Sequence, residues 1–225
     1  MRRTIIAASV LCSIAYLGST VTESAPAATA VTLKVGSILL LLALAAASVR
    51  RSVPLLAALA ASALGDFLLG VPRLGPLGEG ELFVFGLGAF LLAHSWYIAL
   101  FGRNLAEGVS RERKAGIAVA ILTLAITLFV LWPSLGDLRI AVLVYAIALD
   151  AMAITALASR FPPLVGIGAL FFVASDAMLA LEHFGHPFAA ARVLVWTTYY
   201  AAQFMITVGV LRRVSADRKS KSLAA

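Results

Sequence analysis

The chain has 225 residues, of which 62% are hydrophobic and 13% charged, and its mean hydropathy is +1.00. A soluble domain carries about 25% charged residues, so this composition indicates an integral membrane protein, and the single Cys12 excludes a disulfide framework and a cysteine metal site. The net charge of +7 does not indicate nucleic-acid binding, because the basic residues lie at loop ends, where they set membrane topology.

Eight long apolar runs predict transmembrane helices. They cover residues 4–20, 31–49, 53–70, 83–101, 115–132, 138–158, 163–182 and 188–211. Each has the length needed to cross a hydrocarbon core of about 30 Å at about 1.5 Å per residue. Pro54 near the start of the third run, Pro133 after the fifth and Pro163 at the start of the seventh agree with these boundaries. The predicted fold class is therefore an all-α bundle of eight transmembrane helices.

The Lys and Arg residues predict the orientation of the bundle. Of eighteen, fourteen lie on the cytoplasmic side if the N-terminus is inside, and the other four are Lys34, Arg73, Arg139 and Arg192. The positive-inside rule then places both termini in the cytoplasm, and we expect a multi-pass protein of the bacterial inner (plasma) membrane. Residues 1–213 would form the transmembrane domain, and residues 214–225 a basic, disordered tail near anionic lipid headgroups.

Residues 1–30 leave a second interpretation open. A basic start, a short apolar run and the small-residue stretch Ser24–Ala28 are also typical of a cleaved signal peptide. Cleavage would leave seven spans and would not change the orientation of the remaining helices.

Two acidic residues lie deep within apolar runs. Asp66 follows Val53 by thirteen residues and Asp176 follows Pro163 by thirteen, so each acid lies about 20 Å from the inner end of its helix. An ionisable side chain at this depth costs roughly 2.5–3.5 kcal/mol on insertion scales, and it usually marks a functional site. The alternative is a helix-packing role in which each acid bonds a nearby serine or a backbone carbonyl.

Two carboxyl groups at one depth can share a cavity. A neutral carboxylic acid donates a proton, while an ionised neighbour stabilises a cation or activates water. This combination suits acid-catalysed hydrolysis.

Polar and aromatic side chains recur on single faces of two helices. Those on the fourth helix are Gly86, Phe90, His94 and Tyr97, and those on the eighth are Trp196, Tyr199 and Gln203. Their spacing of three or four residues places each set on one face. Taken singly they are core side chains, but as a set they predict the lining of a pocket that faces the two acids.

The spacing does not settle the direction or the role of three further residues. Tyr145 and Asp150 are five residues apart, so we expect at most one to point inward. Lys34 lies at the outer start of the second helix, where it either extends to the headgroup region or binds a lipid phosphate.

The three histidines do not predict a metal site. His94 lies within a helix, whereas His183 and His186 follow the outer end of the seventh. A zinc site needs three or four converging ligands. The sequence also has no glycine-framed serine nucleophile and no glycine-rich phosphate loop.

Four ordered motifs resemble the YhhN family of multi-span membrane proteins. They are Leu64-Gly65-Asp66 with Leu68-Leu69, the stretch from Phe85 to Tyr97, the stretch from Gly168 to Asp176, and Tyr199-Tyr200-Ala201-Ala202-Gln203. Lys34 resembles the family's lysine at the start of the second helix, although Val35 stands where the family has a proline. The resemblance covers nearly the whole chain.

The animal members of this family are lysoplasmalogenases, so the resemblance implies hydrolysis of the vinyl ether bond of a lysoplasmalogen. The substrate would be a lysophospholipid within the bilayer, with no cofactor. One of Asp66 and Asp176 would donate a proton and the other would stabilise the resulting cation. The expected substrate-binding residues are Lys34, His94, Tyr97, Ser175, Tyr199 and Gln203.

Two other classes of function remain open at this stage. Buried acids also couple proton movement to solute transport, so the alternative is a proton-coupled carrier, which helices broken near mid-membrane would favour. A lipid-binding protein without turnover is the other. The sequence leaves open the role of each acid, the role of Asp150, the physiological substrate and the oligomeric state.

Overall fold

The computed structural model describes residues 1–48 and 52–223. Within these it forms the helices α1 (Arg2–Thr22), α2 (Ala27–Ser48), α3 (Val53–Gly70), α4 (Glu79–Gly102), α5 (Arg111–Leu131), α6 (Arg139–Leu157), α7 (Pro163–His183) and α8 (Ala191–Leu223). Each of the eight is long and apolar enough to cross a membrane. The prediction of a multi-pass helical membrane protein is confirmed. Arg50 and Arg51, which count among the predicted inner charges, and residues 224–225 lie outside the described residues.

Prolines mark several helix boundaries. Pro54 occupies the first turn of α3 and Pro163 begins α7, positions where a missing backbone N–H removes no helical hydrogen bond. After α5 the chain continues through two short 3₁₀-helices, Trp132–Ser134 and Gly136–Leu138, before α6. Glu81 accepts a hydrogen bond of 3.0 Å from the backbone N–H of Gly78 at the start of α4.

The backbone of α8 remains helical to Leu223, through most of the segment predicted as a disordered tail. Residues 214–223 contain no glycine or proline that would end a helix. The position of this segment in the cytoplasm stays a prediction.

Two closely packed helix pairs form the centre of the bundle. They are α3 with α4 and α7 with α8; α2 packs on α1, α3 and α8, while α6 packs on α4 and α7. α5 packs on α6 and α7. This arrangement brings α3, α4, α7 and α8 around one interior, into which the candidate acids of α3 and α7 project.

Glycines allow the close approach of α3 and α4. A Cβ at Gly65 would lie 2.6 Å from ring carbons of Phe90, and a Cβ at Gly86 would lie 2.6 Å from a methyl group of Leu69. A side chain at either position would force its neighbour to shift, and the rigid ring of Phe90 has less freedom to do so than the end of Leu69. The Phe90 ring is therefore packed against the turn of α3 that carries Asp66.

Hydrogen bonds attach α1 to the bundle. Ser9 Oγ donates to the backbone oxygen of Ser37 on α2 at 2.8 Å. Trp196 Nε1 on α8 donates to Ser13 Oγ at 3.1 Å. A buried polar side chain needs such partners, and here they hold α1 against α2 and α8, as expected for a membrane span.

Candidate active site

One cavity of about 220 Å³ contains both predicted acids. Asp66 reaches it from α3 and is 1% exposed, and Asp176 reaches it from α7. Lys34, Tyr199 and Trp196 also line this space, which we call the polar cavity. The equal depths of the two acids in the sequence thus correspond to one shared interior site.

Asp66 is held by a cation and a phenol. Lys34 Nζ lies 3.2 Å from Asp66 Oδ1, and the Tyr199 hydroxyl donates to Asp66 Oδ2 at 2.7 Å. Opposite charge and hydrogen-bond donation both favour an ionised carboxylate. Lys34 therefore pairs with an acid of the protein within the cavity, a partner that the sequence analysis did not anticipate.

A chain of hydrogen bonds lies behind Tyr199. The Tyr97 hydroxyl donates to Gln203 Oε1 at 2.6 Å. Gln203 Nε2 donates to Ser62 Oγ at 2.9 Å and lies 3.4 Å from the Tyr199 hydroxyl. Tyr97 and Gln203 are fully buried and are not among the residues that line the polar cavity. Their position suits orientation of Tyr199 rather than direct contact with a bound molecule.

Asp176 has different neighbours. The Tyr145 hydroxyl donates to Asp176 Oδ2 at 2.5 Å. His94 Nε2 lies 3.6 Å from the same oxygen and 3.1 Å from the Tyr145 hydroxyl. Asp176, Tyr145 and His94 therefore form one cluster contributed by α7, α6 and α4.

Tyr145 was named in the sequence analysis with Asp150, as a pair of which at most one should point inward, but it was not among the expected site residues. It shares its helix face with Val142, Ala146 and Leu149, all of which are buried, so the three-and-four spacing of that apolar stripe was the available signal. Asp150 is also buried, and its Oδ1 has no hydrogen-bond partner. It is not among the residues that line the polar cavity.

Ser175 and Ser62 bond other groups than the acids beside them. Ser175 Oγ donates to the backbone oxygen of Val195 at 2.9 Å, which links α7 to α8 at the cavity wall. Ser62 receives its hydrogen bond from Gln203. The acids therefore have partners from other helices, unlike the local serine bonds of the packing alternative.

No three His, Cys, Asp or Glu side chains converge in a metal-binding group among residues 1–48 and 52–223. His183 instead stacks on Phe83, with ring centroids 3.6 Å apart.

The fold and the cavity define a multi-pass membrane protein with an intramembrane pair of acids, each bonded to a tyrosine and one of them also paired with a lysine. The chain belongs to the YhhN family, whose model matches residues 29–210. This match confirms the resemblance seen in the four motifs.

The relatives carry one activity in their names. Lysoplasmalogenases of Mycobacterium bovis and Mycobacterium tuberculosis are each 42% identical to this chain over 159 residues, covering 69% of this chain and 59% of the relative. Lysoplasmalogenase TMEM86B of Sus scrofa is 34% identical over 155 residues, covering 68% and 61% respectively. The chain thus spans about 60% of the length of these curated relatives. No solved structure matches it.

Proposed function

We propose that this protein is a lysoplasmalogenase, which hydrolyses the vinyl ether bond of a lysoplasmalogen to a fatty aldehyde and a glycerophospho-base. The observation that carries the proposal is the pair of carboxyl groups in one cavity, of which Asp66 has a lysine partner and Asp176 has none, because vinyl ether hydrolysis needs both an acid and a carboxylate. The names of its relatives support the substrate class.

Asp66 is the carboxylate of this pair. Its ion pair with Lys34 and the hydrogen bond from Tyr199 stabilise the negative charge. A carboxylate stabilises a neighbouring cation and accepts a proton from water.

Asp176 is the proton donor. No lysine or arginine forms an ion pair with Asp176 among the salt bridges of the described residues. In its protonated form it donates through one oxygen while Tyr145 bonds the other. His94 holds the Tyr145 hydroxyl and thereby positions the carboxyl group.

The two acids complete a balanced cycle. Asp176 protonates the alkene carbon that bears the alkyl chain, and the ether oxygen shares its electrons to form an oxocarbenium ion. Water adds to the cationic carbon and gives its proton to Asp66, which leaves a hemiacetal. Asp66 then returns this proton to the glycerol oxygen as the C–O bond breaks, and Asp176 takes the hemiacetal hydroxyl proton as the aldehyde forms. Both acids regain their first state, and one water is consumed.

The position of the cavity, combined with the predicted orientation, supports a proposal for the side from which substrate enters. Lys34 and Arg192 line it near the N-terminal ends of α2 and α8. With both termini in the cytoplasm, these ends face away from the cytoplasm. We propose that the protein lies in the bacterial inner membrane and receives lysophospholipid from the outer leaflet, with the headgroup towards these two cations.

The test is release of fatty aldehyde from lysoplasmenylethanolamine by the purified protein in detergent. We expect release by the parent, and none by Asp176→Asn or Asp66→Asn variants whose elution and melting show a folded protein. Full activity in both variants would contradict the roles of the acids. A folded parent that releases no aldehyde from ethanolamine or choline substrates would contradict the proposed activity, and pH-driven solute uptake would then test the carrier alternative.

A further inference from the structure

A second, apolar cavity shares Asp176 with the polar cavity. Helices α4, α5, α6 and α7 enclose it, with Leu69 of α3 at one edge. Its wall includes Phe83, Leu87, Leu124, Leu128, Ala146 and Ala180. We call this space the apolar pocket.

The few polar side chains in the apolar pocket are already bonded. Thr127 Oγ1 donates to the backbone oxygen of Thr123 at 2.8 Å. The Tyr145 hydroxyl donates to Asp176. The pocket therefore offers an apolar surface to whatever enters it, and hydrocarbon is the matching chemistry.

The apolar pocket and the polar cavity meet at Asp176. Four residues line both spaces: Leu69, Phe90, Asp176 and Leu179. Lys34 and Asp66 line the polar cavity but not the apolar pocket. A molecule with a polar end and an apolar end would therefore pass Asp176 where its two ends join.

The helices beside the pocket allow a hydrocarbon chain to enter from the bilayer. α4 packs mainly on α3 and α6, while α5 packs mainly on α6 and α7. The two helices thus flank the pocket without extensive contact with one another. The pocket lining on α4 runs from Phe83 to Phe90, which is about 10 Å of helix. A long chain would fill the pocket and continue between α4 and α5 into the membrane.

We propose that the apolar pocket binds the alkenyl chain of the substrate and thereby sets which alkene carbon meets Asp176. This inference rests on the proposed function. The carbon that receives the proton bears the alkyl chain, and the next carbon bears the ether oxygen. A chain in the apolar pocket places the first carbon at Asp176, and the glycerol then lies in the polar cavity beside Asp66.

The pocket acts by orientation more than by affinity. A chain that moves from bilayer hydrocarbon into an apolar pocket gains little from the hydrophobic effect, because both surroundings exclude water. Correct placement of reacting atoms, by contrast, changes the rate of the chemical step. Filling the pocket should therefore reduce kcat for long-chain substrates.

The experiment compares Ala146→Phe, which fills the buried pocket wall, with Ala141→Phe on the exposed face of the same helix. Vinyl ether substrates with alkenyl chains from three to eighteen carbons are the probes. We expect kcat/KM of Ala146→Phe to fall about tenfold or more for long chains and to change little for the shortest. Ala141→Phe should keep the parent profile.

Binding of an uncleavable substrate analogue tests the inference even if the protein cleaves no vinyl ether. Saturated 1-O-alkyl lysophospholipids have no alkene to protonate, so their chain-length dependence is read from the melting temperature of the protein. The shift should persist as the chain lengthens in the parent and in Ala141→Phe. In Ala146→Phe it should be lost for long chains, because the added ring excludes them from the pocket. Ala180→Leu, a smaller change in the pocket, serves if Ala146→Phe does not fold.

The outcomes separate the two proposals. Cleavage by the parent with the same chain-length profile in all variants would overturn the chain-binding role and leave the activity intact. A parent that cleaves no vinyl ether but binds long-chain analogues, with this binding lost in Ala146→Phe, would overturn the activity and retain the chain site.

Discussion

Lys34 and Asp66 form an ion pair inside the helix bundle, with 3.2 Å between Nζ and Oδ1 and side-chain exposures of 18% and 2%. The pair joins α2 to α3. Removing one member of a buried pair leaves an uncompensated charge, which typically costs about 3–5 kcal/mol, whereas removing both members costs much less.

We therefore expect Lys34→Met to lower the melting temperature more than the double variant Lys34→Met with Asp66→Asn does. Both should lose aldehyde release. Lys34→Met removes the cation that keeps Asp66 ionised, and the double variant also removes the carboxylate itself. Thermal unfolding in detergent measures the first effect. A double variant that melts below Lys34→Met would contradict the pairing of these two charges in the folded protein.

Tyr145→Phe tests the hydroxyl that bonds Asp176. The variant keeps the ring and removes the donor, so Asp176 loses its orientation, and we expect kcat to fall about a hundredfold, at the lower end of the range of acid–base catalysis. Tyr200→Phe is the matched control, because its hydroxyl bonds Ser9 rather than an acid. If Tyr145→Phe and Tyr200→Phe are equally active, the Tyr145 hydroxyl has no role in the reaction.

Reaction in heavy water tests the proton transfer to carbon. Because one solvent-derived proton forms a C–H bond, the aldehyde trapped by reduction should carry one deuterium on the carbon next to the former carbonyl. The rate should also fall in heavy water, since proton transfer to carbon is the slow step. An aldehyde without deuterium at that carbon would refute protonation of the alkene.

Gly65→Ala tests the close contact of α3 with α4. The new Cβ would meet the Phe90 ring at 2.6 Å, and overpacking of this kind typically costs about 1–3 kcal/mol. Gly88→Ala on α4 is the control, since nothing lies within 4 Å of its Cβ position, and alanine favours a helix by about 1 kcal/mol. We expect a lower melting temperature for the first and an unchanged or higher one for the second.

Cysteine labelling tests the predicted orientation. In a Cys12→Ser background, Arg73→Cys lies between α3 and α4, and Arg103→Cys lies after α4. With both termini in the cytoplasm, an impermeant maleimide should label position 73 in intact cells and position 103 only after permeabilisation. The reverse pattern would invert the topology and place the cavity mouth towards the cytoplasm.

The sequence by itself determined the apolar runs, their approximate boundaries and the depth of the two acids. Long apolar runs leave few alternatives in a membrane, because backbone polar groups must bond within each helix. Asp66 and Asp176 stood out because an acid within such a run is costly. Their equal distance from the helix starts sufficed to predict one shared site.

Only the tertiary structure decided which side chains surround each acid. Lys34 is far from Asp66 in the chain and reaches it because α2 packs on α3. Tyr145 lies beside Asp176 because α6 packs on α7. Helix periodicity gives the face of a residue but not the helix opposite that face, so the different surroundings of two similar acids, and the apolar pocket beside one of them, follow from helix packing alone.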